Sequence, residues 1–211
     1  MTDIAIVDYG AGNLGSVVRA LTAIGAKTRV VTSGRGAAAA DKLVFPGVGA
    51  AGQAMAAVRE RGLDDFLREH VARSKPLLGI CVGMQILGEH SEEDDVACLG
   101  LLPYRVTKLR VPAPVPHMGW NSLDWTANPA VAALRRGLSD APNVYYVHSY
   151  AAQIPAGPGA ASPAHVAARS EYGGQSFAGV VALGAVWGTQ FHTEKSGQVG
   201  LQILRNFVEA T

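Results

Sequence analysis

Two short stretches of this chain hold residue types that could together perform acyl-transfer chemistry. Cys81 directly follows an apolar run and stands between Gly79 and Gly83, and His192 precedes Glu194 by two residues. A cysteine can attack a carbonyl carbon, a histidine can carry the proton, and a carboxylate can orient that histidine. The residue types and their spacing therefore predict a cysteine, histidine and glutamate triad.

The glycines around Cys81 are typical of a nucleophile elbow, a sharp turn between a strand and a helix. This turn would place Cys81 at the carboxyl end of a strand and at a helix N-terminus, whose partial positive charge favours a thiolate. The backbone N–H of Val82 would then point toward an oxyanion. A buried structural cysteine is the alternative for Cys81 taken alone. Cys98 has no comparable setting and is predicted to be structural.

His192 is the histidine that we expect to act as the base, because only this one has a carboxylate two residues further along. If the strand continues through Glu194, side-chain alternation places both groups on the same face. His70 and His90 are predicted at the surface, and His165 lacks a nearby carboxylate. His117 and His148 lie in aromatic, strand-like segments and stay open as alternatives.

The segment Pro46–Gly49 is a glycine-rich loop after a predicted parallel strand. Its N–H groups could face the same pocket as Cys81 and supply a second oxyanion donor, with Val48 and Gly49 as the candidates. A plain turn is the alternative, because glycine permits such turns without strain.

Residues Gly10–Gly15 match G-x-G-x-x-G between a strand and a helix, as in dinucleotide-binding folds. That fingerprint also needs an acidic residue about 20 positions later, at the end of the second strand. The segment Val31–Arg35 contains no carboxylate. Since glycines also permit a tight turn and close helix packing, we predict a structural loop rather than a nucleotide site.

The elements that must position these residues alternate between strand and helix in the first half of the chain. They are predicted at Asp3–Asp8, Leu14–Ile24, Lys27–Thr32, Lys42–Phe45, Gln53–Glu60, Leu63–Ala72, Pro76–Ile80 and Val82–Gly88. Gly25 is a plausible C-cap for the first helix. Such alternation predicts an α/β fold in which helices cover both faces of a parallel sheet.

The second half changes to strands and proline-rich turns and closes with a helix. The predicted elements are strands Tyr104–Val111, Asn143–Tyr150, Ala164–Ser170, Phe177–Leu183 and Ala185–Phe191, and helix Gln198–Glu209. The acidic run Glu89–Asp95 is predicted to be a solvated loop without a catalytic role. Because no repeat or long linker interrupts the chain, we predict one domain over residues 1–211, with an added antiparallel strand region.

The composition excludes several classes of protein. The 211 residues carry a formal net charge of +1, and no block of basic residues indicates a nucleic-acid surface. No apolar run has the length of a membrane span, and the start of the chain predicts a strand rather than a signal peptide. Two cysteines are too few for a disulfide framework and favour a reducing cytoplasm. We predict a cytoplasmic protein without a metal or cofactor.

Six segments of the chain resemble the class I, or triad-type, glutamine amidotransferases, and within them the glutaminase subunits of imidazole glycerol phosphate synthase. They are Asp8–Asn13, Pro46–Ala50, Gly79–Gln85, Pro116–Asn121, Tyr145–Tyr150 and Gln190–Ser196. The resemblance implies a flavodoxin-like fold and hydrolysis of glutamine to glutamate and ammonia through a Cys81 thioester. It also implies a heterodimer in which ammonia passes to a separate (β/α)8-barrel cyclase subunit. That cyclase would make imidazole glycerol phosphate and an aminoimidazole carboxamide ribotide in histidine biosynthesis.

The resemblance also implies roles for individual residues outside the triad. The substrate would be held by Gly49, Gln85, Ser149 and Tyr150. The partner face would lie on or near Tyr9, Asn13, His117, Met118, Trp120, Asn121 and Lys195. Trp120 is a large aromatic residue in a proline- and glycine-framed loop, which is typical of an interface anchor, and a core tryptophan is the alternative.

One position departs from the family pattern. Thr193 stands between His192 and Glu194, where the family usually has a proline. Threonine does not fix φ as proline does, but its β-branched side chain suits a strand. We therefore expect the geometry of the triad to survive the change.

Three other functions fit parts of the pattern. The chain could be the glutaminase of another synthase, such as one that supplies ammonia for pyridoxal phosphate synthesis. It could also be a non-catalytic flavodoxin-like binding module, against which the intact triad argues. A cysteine peptidase on the same fold is the third alternative, and glutamate release from glutamine would separate it from the first.

Overall fold

A computed structural model describes residues 2–10, 13–154 and 163–210 of the chain. The strands in these ranges are β1 Ile4–Val7, β2 Thr28–Val31, β3 Lys42–Gly47, β4 Leu77–Cys81, β5 His90–Ser91, β6 Val96–Ala97, β7 Arg105–Lys108, β8 His117–Ser122, β9 Asp124–Trp125, β10 Asn143–His148, β11 Tyr150–Ala152, β12 Val166–Tyr172, β13 Gln175–Leu183 and β14 Val186–Thr189. The α-helices are α1 Leu14–Ala23, α2 Gly34–Ala37, α3 Ala51–Glu60, α4 Leu63–Ala72, α5 Val82–Gln85, α6 Val131–Arg135 and α7 Gly197–Glu209. Short 3-10 helices lie at Glu93–Asp95 and Thr193–Lys195.

The largest sheet of the described residues has eight strands in the order β2-β1-β3-β4-β14-β13-β12-β9. The strands from β2 to β14 in this order run parallel, and β13, β12 and β9 continue the sheet with antiparallel pairing. Cys81 on β4 lies opposite Gly47 on β3, and Ile80 lies opposite Thr189 on β14. The predicted α/β class, with a mostly parallel sheet and an added antiparallel region, is confirmed.

Helices cover both faces of this sheet because the chain crosses it in two directions. It steps from β1 to β2 through α1, and from β3 to β4 in the opposite direction through α3 and α4. Since such crossovers are right-handed, the two directions place α1 and the α3–α4 pair on opposite faces. Helix α7 contacts α1, on the face of the sheet that α1 covers. Strands β1, β3 and β4 are buried along their whole length, as a doubly covered parallel sheet requires.

Aromatic side chains join the main sheet to the small β8–β10 sheet. Tyr146 on β10 is fully buried, and its ring lies 5.5 Å from that of Phe177 and 5.8 Å from that of Phe191. Edge-to-face contacts of this kind stabilise a core beyond the area that they bury. The core is therefore continuous from the parallel strands into the region that carries the predicted partner face.

The small sheets correct two predictions. Residues 112–121 were predicted to form a proline-rich turn, although the setting of His117 was strand-like, and the part from His117 onward is strand β8, which pairs with β10 in antiparallel register. The acidic run Glu89–Asp95, predicted to be a loop, contains β5 and a 3-10 helix, and β5 belongs to a sheet with the order β11-β7-β5-β6. Both segments are short and polar, and their pairing depends on partners that are distant in the sequence.

Only the two ends of the glycine loop before α1 can be described. Gly10 has a φ of +92° and Asn13 a φ of +74°, while Ala11 and Gly12 lie outside the described residues. The short helix α2 was not predicted. Ser33 caps it by accepting from the backbone N–H of Gly36. No helix in the described ranges combines the length and the apolar character that crossing a bilayer requires.

Candidate active site

Cys81 ends strand β4 in a backbone conformation that few residues other than glycine adopt. Its φ is +55° and its ψ is −112°, and helix α5 begins at the next residue, Val82. Strain of this kind persists only where the surrounding structure imposes it, and it is common at functional sites. The thiol lines a cavity at the carboxyl edge of the sheet, where open α/β sheets bind ligands.

Glycines are required around Cys81 because backbone segments approach each other closely there. A Cβ atom on Gly83 would lie 1.8 Å from the carbonyl oxygen of Phe45, and one on Gly79 would lie 2.8 Å from the backbone nitrogen of Met84. Neither position can therefore hold a side chain without a shift of the backbone. The strand, sharp turn and helix that the sequence predicted around Cys81 are all present.

His192 and Glu194 are in direct contact, but not because they share the face of a strand. Strand β14 ends at Thr189, and the 3-10 helix Thr193–Lys195 follows. Nδ1 of His192 lies 2.7 Å from Oε1 of Glu194. The predicted extended geometry is wrong, because the N–H of Lys195 donates to the carbonyl of His192 and closes a turn.

Ser196 and Asn13 hold the His192–Glu194 pair in place. Oγ of Ser196 donates to the backbone carbonyl of His192 at 2.7 Å and accepts from the N–H of Tyr145 at 3.0 Å. Nδ2 of Asn13 donates to Oε1 of Glu194, the same oxygen that contacts His192. The side chain of Glu194 is completely buried. The N–H groups of Asn13 and His192 therefore replace the water that Oε1 of Glu194 loses, whereas its Oε2 is buried without a hydrogen-bond partner among the described residues.

The partners of His192 decide its charge. Burial alone lowers the pKa of this ring, but hydrogen bonds and charge interactions with Cys81 and Glu194 raise the pKa of His192 to about 10. Nδ1 is committed to Glu194, so Nε2 is the ring nitrogen that is left for the thiol. The imidazolium form is thus favoured, and this form stands beside the thiolate in activated cysteine sites.

A cavity of about 380 Å³ opens beside Cys81, within the size range of small-molecule sites. The residues predicted for the oxyanion site and for the substrate all line it, and they are Val48, Gly49, Val82, Gln85, Ser149 and Tyr150. Gly49 has a φ of +92°, a conformation that suits glycine. His192 and Lys195 also reach this cavity. The structure therefore collects the predicted triad, oxyanion and substrate residues in one place.

Glu93 lines the same cavity, although the acidic run that contains it was predicted to be a solvated loop. Its Oε2 accepts from the N–H of Ala51 at 2.9 Å, and Oδ2 of Asp94 accepts from the N–H of Gly52 at 3.2 Å. These carboxylates cap helix α3, whose own N-cap residue, Ala50, has no side-chain acceptor. Burial raises the pKa of Glu93. In the sequence, the sign of this contact was that Ala50, at the start of α3, has no side chain that can cap the helix.

A chain of buried amide groups runs from Tyr150 to Cys81. Nε2 of Gln85 donates to the carbonyl of Tyr150 at 2.8 Å and to Oε1 of Gln190 at 3.2 Å. Nε2 of Gln190 lies 4.0 Å from Sγ of Cys81. Sequence reasoning missed Gln190. Its signal was a polar residue at the end of an apolar strand, two positions before His192.

His117 and His148 contact each other, and His148 lines the cavity. Nδ1 of His117 lies 3.0 Å from Nε2 of His148, and Nδ1 of His148 lies 2.9 Å from the carbonyl oxygen of Tyr150. A carbonyl only accepts, so Nδ1 of His148 carries a proton and its Nε2 accepts from His117. Burial lowers the pKa of His117 to about 4 and, as the largest influence, that of His148 to about 3. Because their nitrogens are committed in this way, neither replaces His192 as the candidate base.

The residues predicted for the partner face divide by exposure. On strand β8, Met118 is 62% exposed and Trp120 is 58% exposed, so the alternative of a core tryptophan is wrong. His117 alternates with them and faces inward, and it is only 3% exposed. Tyr9 is equally buried, with its ring 5.3 Å from that of Phe45. The side chains of Tyr9 and His117 are thus buried in this chain, and their place on or near a partner face stays a prediction.

The other predicted partner residues have different degrees of exposure, and Asn13 and Lys195 line the cavity. Lys195 is exposed, whereas Asn121 is half-buried and donates to the carbonyl of Glu171 at 2.8 Å. Asn13 is also half-buried, and its amide is used by Glu194. Contact of these three residues with a partner stays a prediction.

Outside the cavity, one histidine prediction is wrong. His70 was predicted at the surface, but it is 4% exposed and its Nε2 lies 3.1 Å from the carbonyl of Pro76. His90 is half-buried and contacts Asp95 at 2.9 Å. Burial raises the pKa of Cys98 to about 11, which agrees with its predicted structural role. Within the described ranges, no cluster of three or more histidine, cysteine or acidic side chains is arranged to hold a metal ion.

Comparison with known proteins gives both a family and a fold. The family model for class I glutamine amidotransferases matches residues 5–211. The imidazole glycerol phosphate synthase subunit HisH of Xylella fastidiosa (strain Temecula1 / ATCC 700964) is 47% identical, with 99% of this chain and 98% of that protein covered. The HisH subunit of Synechococcus sp. (strain JA-3-3Ab) is 44% identical, with 98% and 93% covered.

Solved structures with lower identity share the fold. A glutamine amidotransferase has a TM-score of 0.73 at 19% identity, with 97% of each chain covered. The structure of PurLQS from Thermotoga maritima has a TM-score of 0.69 at 17% identity, with 98% of this chain and 97% of that chain covered.

Proposed function

Because the chain belongs to the class I glutamine amidotransferases, and within them to the family of HisH subunits of imidazole glycerol phosphate synthase, we propose that it hydrolyses glutamine to glutamate and ammonia. The observation that carries this proposal is that Cys81 and His192 line the same cavity while Nδ1 of His192 contacts Oε1 of Glu194. Nucleophile, base and orienting carboxylate are the three parts that acyl transfer through a thioester needs.

The first half of the reaction releases ammonia. The thiolate of Cys81 attacks the side-chain amide carbon of glutamine, which forms the sulfur–carbon bond and places negative charge on the amide oxygen. The imidazolium of His192 then donates its proton to the amide nitrogen. The carbon–nitrogen bond breaks as the carbonyl re-forms, so ammonia leaves and a thioester remains. The buried carboxylate of Glu194 stabilises the imidazolium before this transfer.

The second half of the reaction restores the enzyme. Neutral His192 accepts a proton from water, and the resulting hydroxide attacks the thioester carbon. The second oxyanion collapses, the sulfur–carbon bond breaks, and Cys81 leaves as a thiolate beside the newly formed imidazolium. Glutamate is the product, and no external acid or base is consumed within the site.

The oxyanion of both steps requires hydrogen-bond donors. We propose the backbone N–H of Val82, at the start of α5, as one donor, and a backbone N–H of Val48 or Gly49 as the second. The loss of one such donor typically costs about 10²–10³ in rate. The two loops come together because Gly47 pairs directly with Cys81 in the sheet.

The substrate would be held by groups around the cavity. Both hydrogens of the Gln85 amide are used by Tyr150 and Gln190, so its oxygen is the atom left for a donor on the ligand. The backbone of Ser149 and Tyr150, together with Gly49, lines the same space. We add Glu93 to this set, because a carboxylate in the wall suits the α-ammonium group of glutamine.

We further propose that the ammonia passes to a separate (β/α)8-barrel cyclase subunit in a heterodimer that serves histidine biosynthesis. Pro116 lines the cavity and directly precedes β8, where Met118 and Trp120 expose their side chains. An exposed apolar face next to a cavity mouth supports docking of a partner there, with Trp120 as an anchor. The cytoplasmic location inferred from the cysteine content stays a prediction.

A pair of cysteine variants tests the proposed function. Cys81→Ala should abolish glutamine-dependent synthesis by the assembled complex, because no thioester can form. Synthesis from added ammonium should persist, since the cyclase site is on the other subunit. Cys98→Ala is the matched control and should keep both activities. Equal loss of both activities in an assembled Cys81→Ala complex would contradict the proposal.

A further inference from the structure

Gln190 has a buried amide whose two ends meet two functional residues. It directly follows strand β14 and is fully buried, and its backbone N–H donates to the carbonyl of Gly179 at 2.9 Å. Its Oε1 lies 3.2 Å from Nε2 of Gln85, and its Nε2 lies 4.0 Å from Sγ of Cys81. A buried amide needs a partner for both its donor and its acceptor, and here one partner is the thiol.

The orientation of the Gln190 amide follows from the groups beyond it. The carbonyl of Tyr150 only accepts, so the group of Gln85 that lies 2.8 Å from it is the NH₂ group. The same NH₂ group faces Gln190, so oxygen is the atom of Gln190 at that contact. The NH₂ group of Gln190 is therefore at the end near Cys81. The opposite orientation would set two NH₂ groups against each other and leave a buried donor unpaired.

We propose that Gln190 is a further catalytic residue, which donates an N–H to Sγ of Cys81 and stabilises the thiolate before it attacks glutamine. This inference rests on the proposed function, in which Cys81 is the nucleophile. A hydrogen bond to an ionised acceptor is stronger than one to a neutral acceptor, so the contact favours thiolate over thiol. The bond weakens when the thioester forms, because that sulfur carries no charge.

Gln190 and His192 act on the same sulfur in different ways. His192 accepts and returns protons during the reaction, whereas the amide of Gln190 does not titrate and donates at every pH. Loss of Gln190 should therefore leave the proton transfers possible but reduce the fraction of thiolate at low pH. A residue that only supported Gln85 would change substrate binding without changing that fraction.

Several titratable groups face the thiol of Cys81. Tyr9 is close enough to interact with its charge, and five others line the cavity with it, namely Glu93, His148, Tyr150, His192 and Lys195. All of these groups are retained when Gln190 is replaced. A difference in pH dependence between a variant and the parent protein therefore reports the contribution of Gln190.

The test is the rate at which iodoacetamide alkylates Cys81 in the full chain, followed from about pH 5 to about pH 9 with peptide mapping to separate it from Cys98. Gln190→Met keeps a side chain of similar length but removes the amide. Its labelling profile should shift to higher pH by about one unit, which is about tenfold slower labelling on the acid side. As the pH rises, the deficit in labelling rate of the variant should shrink, because the protonated fraction of the thiol falls in both proteins.

Two more variants separate the chemical role from a structural one. Gln190→Glu keeps an oxygen facing Gln85 but replaces the donor to sulfur with a carboxylate, so its profile should shift at least as far. Asn206→Leu is the matched control, because it removes another buried amide, which donates to the carbonyls of Leu134 and Arg136 and does not line the cavity. Its melting temperature can fall, but its labelling profile should match that of the parent.

The outcomes distinguish this inference from the proposed function. A shift in both folded Gln190 variants, with none in Asn206→Leu, supports the inference. A folded Gln190→Met or Gln190→Glu protein with the labelling profile of the parent overturns it. If the parent protein itself is labelled at Cys98 before Cys81, the assignment of Cys81 as the nucleophile fails instead.

Discussion

His192 and His148 line the same cavity, and both rings are buried, yet their charges are driven in opposite directions. The pKa of His148 falls to about 3, chiefly through burial, with the nearby His117 and His192 adding to the decrease. Burial also acts on His192, but its contacts with Cys81 and Glu194 raise that pKa to about 10. Burial alone therefore does not decide the state of a histidine.

The difference lies in what each ring nitrogen contacts. His148 contacts a backbone carbonyl and a neutral ring, which fix its tautomer, and the carbonyl stabilises a charge on the ring too little to offset burial. His192 contacts a buried carboxylate on one side and the thiol on the other. One histidine is thus suited to moving protons, and the other to holding the backbone of Tyr150 beside the substrate.

The largest expected effect is on the rate of glutamine hydrolysis. His192→Ala should lower kcat/KM for glutamine by about 10⁴-fold or more, as removal of a triad member does elsewhere. His70→Asn is the control, since it replaces a buried histidine that the cavity does not include. Glutamate release by the complex measures both. Comparable losses in the two variants would show that His192 has no special role.

The next effect is on stability as a function of pH. His148 stays neutral in the folded protein, but in the unfolded chain it binds a proton below about pH 6.5. The unfolded state therefore binds more protons as the pH falls, so stability decreases from about pH 6.5 toward the folded pKa of about 3. His192 has the opposite sign, because its raised pKa favours the folded state below about pH 6.5 and loses that effect as the pH approaches about 10.

His148→Asn isolates the first of these contributions. Asparagine keeps an N–H that can donate to Tyr150 but cannot titrate. Between about pH 7 and about pH 5, the loss of stability should be smaller in the variant than in the parent by about 2 kcal/mol. For a chain of this size, that is about 4–8 °C in melting temperature. Parallel melting curves for the two proteins over this range would contradict a neutral His148.

A second comparison concerns strand β8, whose side chains point alternately to the core and to solvent. His117 faces the core and contacts His148, whereas Trp120 projects into solvent. Trp120→Ala should leave the unfolding free energy of the isolated chain within about 0.5 kcal/mol of the parent. It should also weaken binding to the cyclase and reduce stimulation of glutaminase activity by the partner.

An exposed valine provides the control for Trp120. Val30 lies on β2, at the opposite edge of the main sheet from the antiparallel strands, and it is 46% exposed. Val30→Ala removes apolar surface without touching β8, so partner binding should not change. A Trp120→Ala protein that is stable and fully stimulated by the cyclase would place the interface elsewhere.

The parts of the fold and site that the sequence predicted are those with local signals. The strand and helix alternation predicted the parallel sheet, and Gly79 and Gly83 around Cys81 predicted the turn. The contact between His192 and Glu194 followed from their short separation, although a 3-10 helix produces it rather than a strand. Short sequence separation limits the distance between two side chains whatever the backbone conformation.

The parts that the sequence did not predict depend on distant partners. Glu93 reaches the cavity because it caps α3 at Ala51, which is 42 positions away. Gln190 was passed over because its partner, Gln85, is 105 positions away. Nothing in the sequence indicated that the ring of Tyr9 packs against that of Phe45, a contact that the sheet sets. Such contacts appear only once strand order and register are known.

The smallest effect concerns Thr193, where the family pattern has proline. The residue before it, His192, has φ −84° and ψ 103°, an extended conformation that a following proline accepts. Thr193 begins the 3-10 helix, a position where a missing N–H does little harm. Its buried Oγ1 also has no hydrogen-bond partner among the described residues. Proline would therefore remove an unpaired hydroxyl and restrict the unfolded chain.

Thr193→Pro should raise the unfolding free energy by about 0.4–1 kcal/mol, measured by denaturant unfolding, and keep glutaminase activity. Lys195→Pro is the contrasting variant two positions later. It removes the N–H that donates to the carbonyl of His192 at 3.0 Å, so it should destabilise the turn that joins His192 to Glu194. If Thr193→Pro lost activity as Lys195→Pro is expected to, the turn would require a backbone at residue 193 that proline cannot adopt. The contact at 2.7 Å between His192 and Glu194 would then depend on threonine itself.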